Sequence, residues 1–419
     1  MKIKLVTFAP HPNFGTCLQS YALNKVLRDM GHDVEFIYNG REKPPKNLYY
    51  YVKVFVKWLL PKSIVTKIQL KNREKRDSNP DFPPYIIELP DNRFHFWLSK
   101  LSGYEIVYKW FKCRTLQWKK VWRFTFEGGN YKMKRLYCKK QYEEVVNDAD
   151  LFITGSDQIW NPYCGGFNPM MFLEFAGDKK RVAYSSSIAR PEFPKEVRNR
   201  AKADLMKFQY IAVREKSSVD MLNNLLGRNN VQLVVDPTYL LSRNEWEDFA
   251  NRATIEFKVP ERYIFCYFVG ERHEDYDAMV RDVIQKTGIN DVITVDCTGN
   301  PLNYGGGLLY RDGGPYEWVY LLSHASMICM DSFHATVFAL KFHIDFVHIL
   351  KTKSEYSITS QNSRMYDMFR RYEIGYKFYN SETTDWLKSI DFDKVEKVIS
   401  KEISSSMNYL SMAVNGIHR

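Results

Sequence analysis

No stretch of this 419-residue chain approaches the ~20 consecutive apolar residues of a membrane-spanning helix. The opening MKIKLVTF is too short, and too soon interrupted by Pro10 and Pro12, to serve as a signal peptide. A cytoplasmic protein is expected. Cysteine is sparse: seven residues, an odd number, stand singly at 17, 113, 138, 164, 266, 297 and 329, with no C-x-x-C pair and no His partner at zinc spacing. That excludes a disulfide framework and a structural zinc site, and no metal site is expected. Low-complexity tracts are absent, and so are G-x-G-x-x-G and Walker spacings. Zinc-finger, RNP-type and helix-turn-helix signatures are missing too, which argues against nucleic acid as a partner.

What is present describes a globular protein of two or three domains, 45% hydrophobic and 15% aromatic. The formal charge of +11, from 60 Lys and Arg against 49 Asp and Glu, favours an anionic partner. Much of the excess lies between Lys43 and Lys140, in runs such as Lys71 to Arg76 and Lys132 to Arg135. Within it, Tyr49 to Leu70 spaces Lys53, Lys57, Lys62 and Lys67 among apolar and aromatic residues, with Pro61 dividing any helix there. Two readings stay open: a basic helical insertion packed on its own domain, or peripheral contact with an anionic membrane at its inner face.

On either side of that insertion, strand and helix patterns alternate as in a doubly wound α/β protein. Lys2 to Phe8 is strand-like, Thr16 to Met30 carries a helical stripe closed by Gly31, and Asp33 to Tyr38 begins the next strand. Further strands are expected at 151–154, 181–185, 210–213 and in VQLVV before Asp236-Pro237-Thr238. The pattern restarts with Arg262 to Val269, a helix to Thr287, Asp291 to Val295, a helix from Pro315 to His324 and the strand Ala325 to Met330. Gly305 to Gly307 and Gly313-Gly314 punctuate a flexible stretch.

Two loops carry chemistry. LFITGSDQIWN runs from a buried strand into Gly155-Ser156-Asp157-Gln158, then Trp160 and Asn161, at the strand's carboxyl end, where open α/β sheets bind ligands. Asp331-Ser332-Phe333-His334 follows a second strand and opens a helix, whose N-terminal amides favour an anion. Each also has a plain structural reading, with Ser156, Asp157 or Ser332 as a helix cap and His334 as a half-buried side chain. The repetition of the pattern in both halves favours two faces of one cleft.

These segments resemble the polysaccharide pyruvyl transferases along nearly the whole chain. NFGTCLQSYAL (13–23), GSDQIWN (155–161), VREKS (213–217), VVDPTYLL (234–241), DSFHATVFAL (331–340) and NSRMYDMF (362–369) are similar to that family's motifs, in order. The resemblance implies two Rossmann-like domains facing a central cleft, as in GT-B glycosyltransferases: an N-terminal, acceptor-side domain (1–208, with the insertion at about 42–148) and a C-terminal, donor-side domain (209–419). It also implies transfer of the enolpyruvyl group of phosphoenolpyruvate onto two hydroxyls of a sugar, for an exopolysaccharide or capsule, with no other cofactor. The acceptor would be a glycan or lipid-linked oligosaccharide.

On that resemblance, His334 is the acid or base near the donor, and Asp157 holds or deprotonates the acceptor. Arg214 meets the donor's carboxylate or phosphate, with Ser332 beside it. Related members carry Arg-x-His where this chain has Ser332-Phe333-His334, and Arg364 stands in for the missing arginine. Ser156, Gln158 and Asn161 bond the sugar, Trp160 stacks on its ring, and Asn13 and Gln19 line the acceptor loop. The alternatives are a GT-B glycosyltransferase using a nucleotide sugar, and a non-catalytic polysaccharide-assembly protein.

Overall fold

Strand β1 (Lys2–Val6) is buried along all but its first residue, and β4 (Leu151–Thr154) along its whole length, because both lie inside a parallel sheet covered on its two faces. The structure, a computed structural model, describes residues 1–8, 13–39, 116–136, 138–164, 166–270, 274–295, 304–351 and 362–416. The Tyr49 to Leu70 segment, the Lys71 to Arg76 run and Pro10 to Pro12 lie outside the described residues.

The first sheet has seven parallel strands in the order β3-β2-β1-β4-β5-β6-β7, adding β2 (Asp33–Asn39), β3 (Met133–Leu136), β5 (Lys180–Ser186), β6 (Tyr210–Val213) and β7 (Gln232–Leu233). Helices α1 (Phe14–Asp29), α2 (Leu116–Trp122), α3 (Lys139–Asp148), α4 (Lys195–Leu205) and α5 (Lys216–Leu226) belong to this half. The second sheet has five parallel strands, β10-β9-β8-β11-β12: β8 (Ile264–Tyr267), β9 (Val292–Val295), β10 (Leu308–Tyr310), β11 (Met327–Met330) and β12 (Phe346–His348). With it come α6 (Arg243–Ala250), α7 (Glu274–Thr287), α8 (Pro315–Ser323), α9 (Phe333–Phe342), α10 (Ser363–Arg371) and α11 (Phe392–Asn415). The protein is thus α/β with two Rossmann-like sheets.

Three expectations change. The boundary expected between 208 and 209 falls inside the first sheet, since β5 pairs with β6 and β6 with β7; the second sheet begins only at Ile264. The end of the expected insertion is sheet and sheet-covering helix. Phe36 to Asn39 pair with Met133 to Leu136, and Lys4, buried in β1, reaches Asp148 of α3 at 2.7 Å and Glu35 at 2.6 Å. The basic Lys132 to Arg135 run is accordingly an edge strand, with Lys132 3.1 Å from Asp33 and Arg135 over the ring of Tyr38. Finally, the glycine-rich stretch holds β10, paired with β9.

The two halves share one apolar cluster. Phe14 of α1 meets Trp318 of α8 and Tyr267 of β8, at ring separations of 6.2 and 6.1 Å. Helix α11 then crosses back to the first sheet: Tyr409 donates to the Ala183 carbonyl at 2.9 Å, and the Val235 amide to Ser406 at 3.0 Å. The carboxyl ends of β4, β5, β6 and β11 are thereby brought to one place.

Candidate active site

Both expected loops open helices or turns at these strand ends, and local capping sets where each side chain stands. Helix α1 starts two residues earlier than its apolar stripe indicates, because the Asn13 side chain accepts from the Thr16 amide at 3.3 Å. Helix α9 likewise starts at Phe333, with Ser332 as the cap accepting from the Ala335 amide, which places His334 in its first turn. Asp331 ties strand ends together, its carboxylate accepting from the Val269 and Gly270 amides and from Tyr276 at 2.7 to 2.8 Å.

The centre is a buried charge cluster around Arg214, at the end of β6. Its three guanidinium nitrogens face three carboxylates: Asp236 at 2.8 Å, Asp157 at 3.4 Å and Glu215 at 3.3 Å. Glu215 is held in turn by Ser187 and by Ser218. Burial opposes the charge of Arg214, but the three carboxylates outweigh it and raise its pKa. Asp236 also receives Ser156 Oγ at 3.2 Å and both the amide and hydroxyl of Thr238. His334 Nε2 lies 3.4 Å from Asp236 Oδ2, an ion-pair distance and a long one for a hydrogen bond. Burial works against ionisation of Asp236, yet His334, Arg214 and Thr238 hold its carboxyl well below the usual range.

Asp157 adopts φ +67° and accepts from Thr16 Oγ1 at 2.8 Å and from the Gln158 amide at 2.8 Å. Burial pushes its pKa up, but Arg214, His334 and Arg364 bring it down to about 2. Arg364, from α10, is buried as well; desolvation and the like charge of Arg214 lower it to about 10. Arg214, Arg364 and Arg371 share the wall of a small cavity with Asp236, Phe333 and Tyr239. His334 and Asp157 adjoin this cavity through Asp236 and Arg214. Two glycines are required by close approach. A Cβ on Gly155, at φ +129°, would lie 1.9 Å from the Tyr184 carbonyl oxygen, and one on Gly15 would lie 2.3 Å from His334 Nδ1.

The structure therefore brings together Asp157, Arg214, His334 and Arg364, which are widely separated in the chain. It gives other expected residues supporting places. Gln19 is buried beneath the loop, donating to Thr7 and to the Thr16 carbonyl and accepting from the Ser156 amide at 3.3 Å, and Ser156 is fully enclosed. Their polar groups are engaged inside the protein instead of facing an acceptor. Trp160 does not offer a face for sugar stacking: it is 1% exposed, packed on Phe172 and Phe208, and donates to the Met171 carbonyl at 3.0 Å. Asn161 donates to Gln158 Oε1 at 2.8 Å, so these two amides brace one another.

Asp236, Glu215, Thr16, Phe333 and Arg371 were given no site role from sequence. The DPT and VRE motifs were visible, and a buried acid in each would have signalled the first two. Among the described residues no helix is long and apolar enough to cross a membrane, and no group of three or more His, Cys, Asp or Glu is placed to hold a metal ion.

Among solved structures, a UDP-GlcNAc 2-epimerase from Neisseria meningitidis aligns with 99% of this chain and 94% of its own at 10% identity and a TM-score of 0.46. The corresponding protein from Methanocaldococcus jannaschii aligns with 96% and 92% at 12% identity and 0.43. A glycosyltransferase from Streptomyces nogalater aligns with 100% and 99% at 10% identity and 0.40. No curated protein matches the chain. The sequence family described as polysaccharide pyruvyl transferase matches residues 13–350.

Proposed function

Because the chain belongs to the polysaccharide pyruvyl transferase family, a family of transferases, we propose that it moves the enolpyruvyl group of phosphoenolpyruvate onto two hydroxyls of a glycan, free or lipid-linked, as a cyclic ketal. The observation that carries this reading is the arginine-walled cavity against the His334–Asp236 pair. A donor with a phosphate and a carboxylate needs several cationic contacts, and buried arginines supply them in planar, two-pronged form.

In the reaction the donor's methylene carbon gains a proton, C2 gains two bonds to sugar oxygens, and the bond from C2 to the phosphate oxygen breaks. Of the two hydroxyl protons, one balances that carbon protonation and the other leaves with phosphate. His334 is the proton carrier in this scheme, with the Asp236 carboxylate 3.4 Å from its Nε2. Asp157 serves differently. Its carboxylate is held by Arg214, by Thr16 and by the Gln158 amide, so it balances the arginines and orients an acceptor hydroxyl. Arg364 and Arg214 face the donor's anionic groups.

The test is phosphate release from phosphoenolpyruvate with galactose, mannose and N-acetylmannosamine glycosides, followed by mass spectrometry of the sugar. Acceptor-dependent release with a ketal product supports the reading. Consumption of a nucleotide sugar with no use of phosphoenolpyruvate replaces it with glycosyl transfer.

A further inference from the structure

Phe333 touches three cationic or ionisable groups of the site at once. Its ring centre lies 4.4 Å from the Arg214 guanidinium carbon and 5.4 Å from that of Arg364, and it stands edge-on to the His334 ring at 5.4 Å and 86°. It is 6% exposed and forms part of the cavity wall. Its position follows from the cap: Ser332 ends the strand-to-helix turn, so Phe333 is the first helical residue and projects beside His334.

Two buried guanidiniums in one cavity repel each other. Arg214 is tied to Asp157, Asp236 and Glu215, which follow strands of the first sheet, and Asp157 and Glu215 also attract Arg364, which arrives on α10 with the second sheet. The aromatic ring is a contact common to both, and the negative face of its quadrupole attracts cations without supplying a counter-charge that would compete with a bound anion. We propose that Phe333 is a positioning residue whose ring holds the guanidiniums of Arg214 and Arg364 as one two-cation seat for a donor carrying two anionic groups. This inference rests on the reading of phosphoenolpyruvate as the donor.

The test compares the full-length protein with Phe333→Met and Phe333→Leu, which remove the ring, and Phe333→Tyr, which keeps it. KM and kcat for phosphoenolpyruvate, Kd for inorganic phosphate by calorimetry, and Tm are measured for each. Ring removal is expected to raise KM and the phosphate Kd about tenfold, with a smaller change in kcat, and Tyr to restore both to within about twofold. Ringless variants with a lowered Tm but native KM and Kd would overturn it, reducing Phe333 to filler. If the native protein never uses phosphoenolpyruvate yet loses phosphate affinity on ring removal, the donor reading fails and the seat stands. Native turnover untouched by ring removal rejects the seat alone.

Discussion

Replacing Gly15 by Ala tests the placement of His334 without touching an ionisable group. Gly15 lies in the first turn of α1, and an added Cβ would sit 2.3 Å from His334 Nδ1, 2.5 Å from its Cγ and 2.8 Å from its Cβ. Ordinary contact begins at 3.4 Å, so the imidazole must retreat by about 1 Å. Rotation of the ring leaves the Cβ contact in place, and relief therefore requires α9 itself to shift. Stability falls by roughly 0–3 kcal/mol, because a helix-propensity gain of up to about 1 kcal/mol only partly offsets an overpacking cost of roughly 1–3 kcal/mol. Turnover is far more sensitive, because a 1 Å misplacement of a reacting group costs about 100-fold, or about 2.7 kcal/mol of barrier. The assay is kcat/KM for phosphate release beside Tm by calorimetry. A Gly15→Ala protein with native kcat/KM refutes the placement of His334 against α1 in the working enzyme.

Three further outcomes follow from the same geometry. Asp157 has a folded pKa of about 2 against an ordinary 3.8, so it contributes stability that is present above about pH 4 and lost as pH falls toward 2. Asp157→Asn should lose about 2 kcal/mol at pH 7 in urea titration, with the gap to the native protein closing below pH 4; a pH-independent gap contradicts this. His348 is fully buried beneath the site, and burial followed by Lys351 and Arg364 lowers its pKa to about 3. The unfolded chain therefore binds the proton first, and His348 should destabilise the fold increasingly below pH 6.5, by about 2 kcal/mol at pH 5. His348→Gln should flatten the stability profile between pH 6.5 and 4, and an unchanged profile would exclude the assignment. Trp160→Phe removes a hydrogen bond to the Met171 carbonyl, which still accepts from Thr154 at 2.9 Å. A loss of roughly 1 kcal/mol with unchanged acceptor KM is expected, whereas a tenfold rise in KM would return the indole to the sugar.

The α/β alternation was legible because buried parallel strands such as LFIT and MICM are continuous apolar runs, and α1 announces itself by its stripe. Strand β3 escaped notice, since an edge strand reading MKRL differs little from a basic surface segment. The domain boundary was misplaced for a related reason: nothing local in YIAV says which sheet it joins. In the site, Asp157, Arg214, His334 and Arg364 were nameable because strand ends and motifs marked them. Trp160 was misassigned because an aromatic beside polar residues looks the same whether it faces a sugar or the core.

Sequence alone determined that this chain builds doubly wound α/β layers, that polar residues stand at the strand ends, and to which family its motifs belong. Local periodicity, caps and motif order suffice for those conclusions, because each depends on residues a few places apart. Only the tertiary structure decided that three carboxylates surround Arg214, that Gly15 makes room for His334, and that Phe333 lies against two arginines. The contacts of Gly15 with His334 and of Phe333 with Arg214 join the two halves of the chain, and the burial that strengthens such contacts and shifts protonation exists only once the halves have come together.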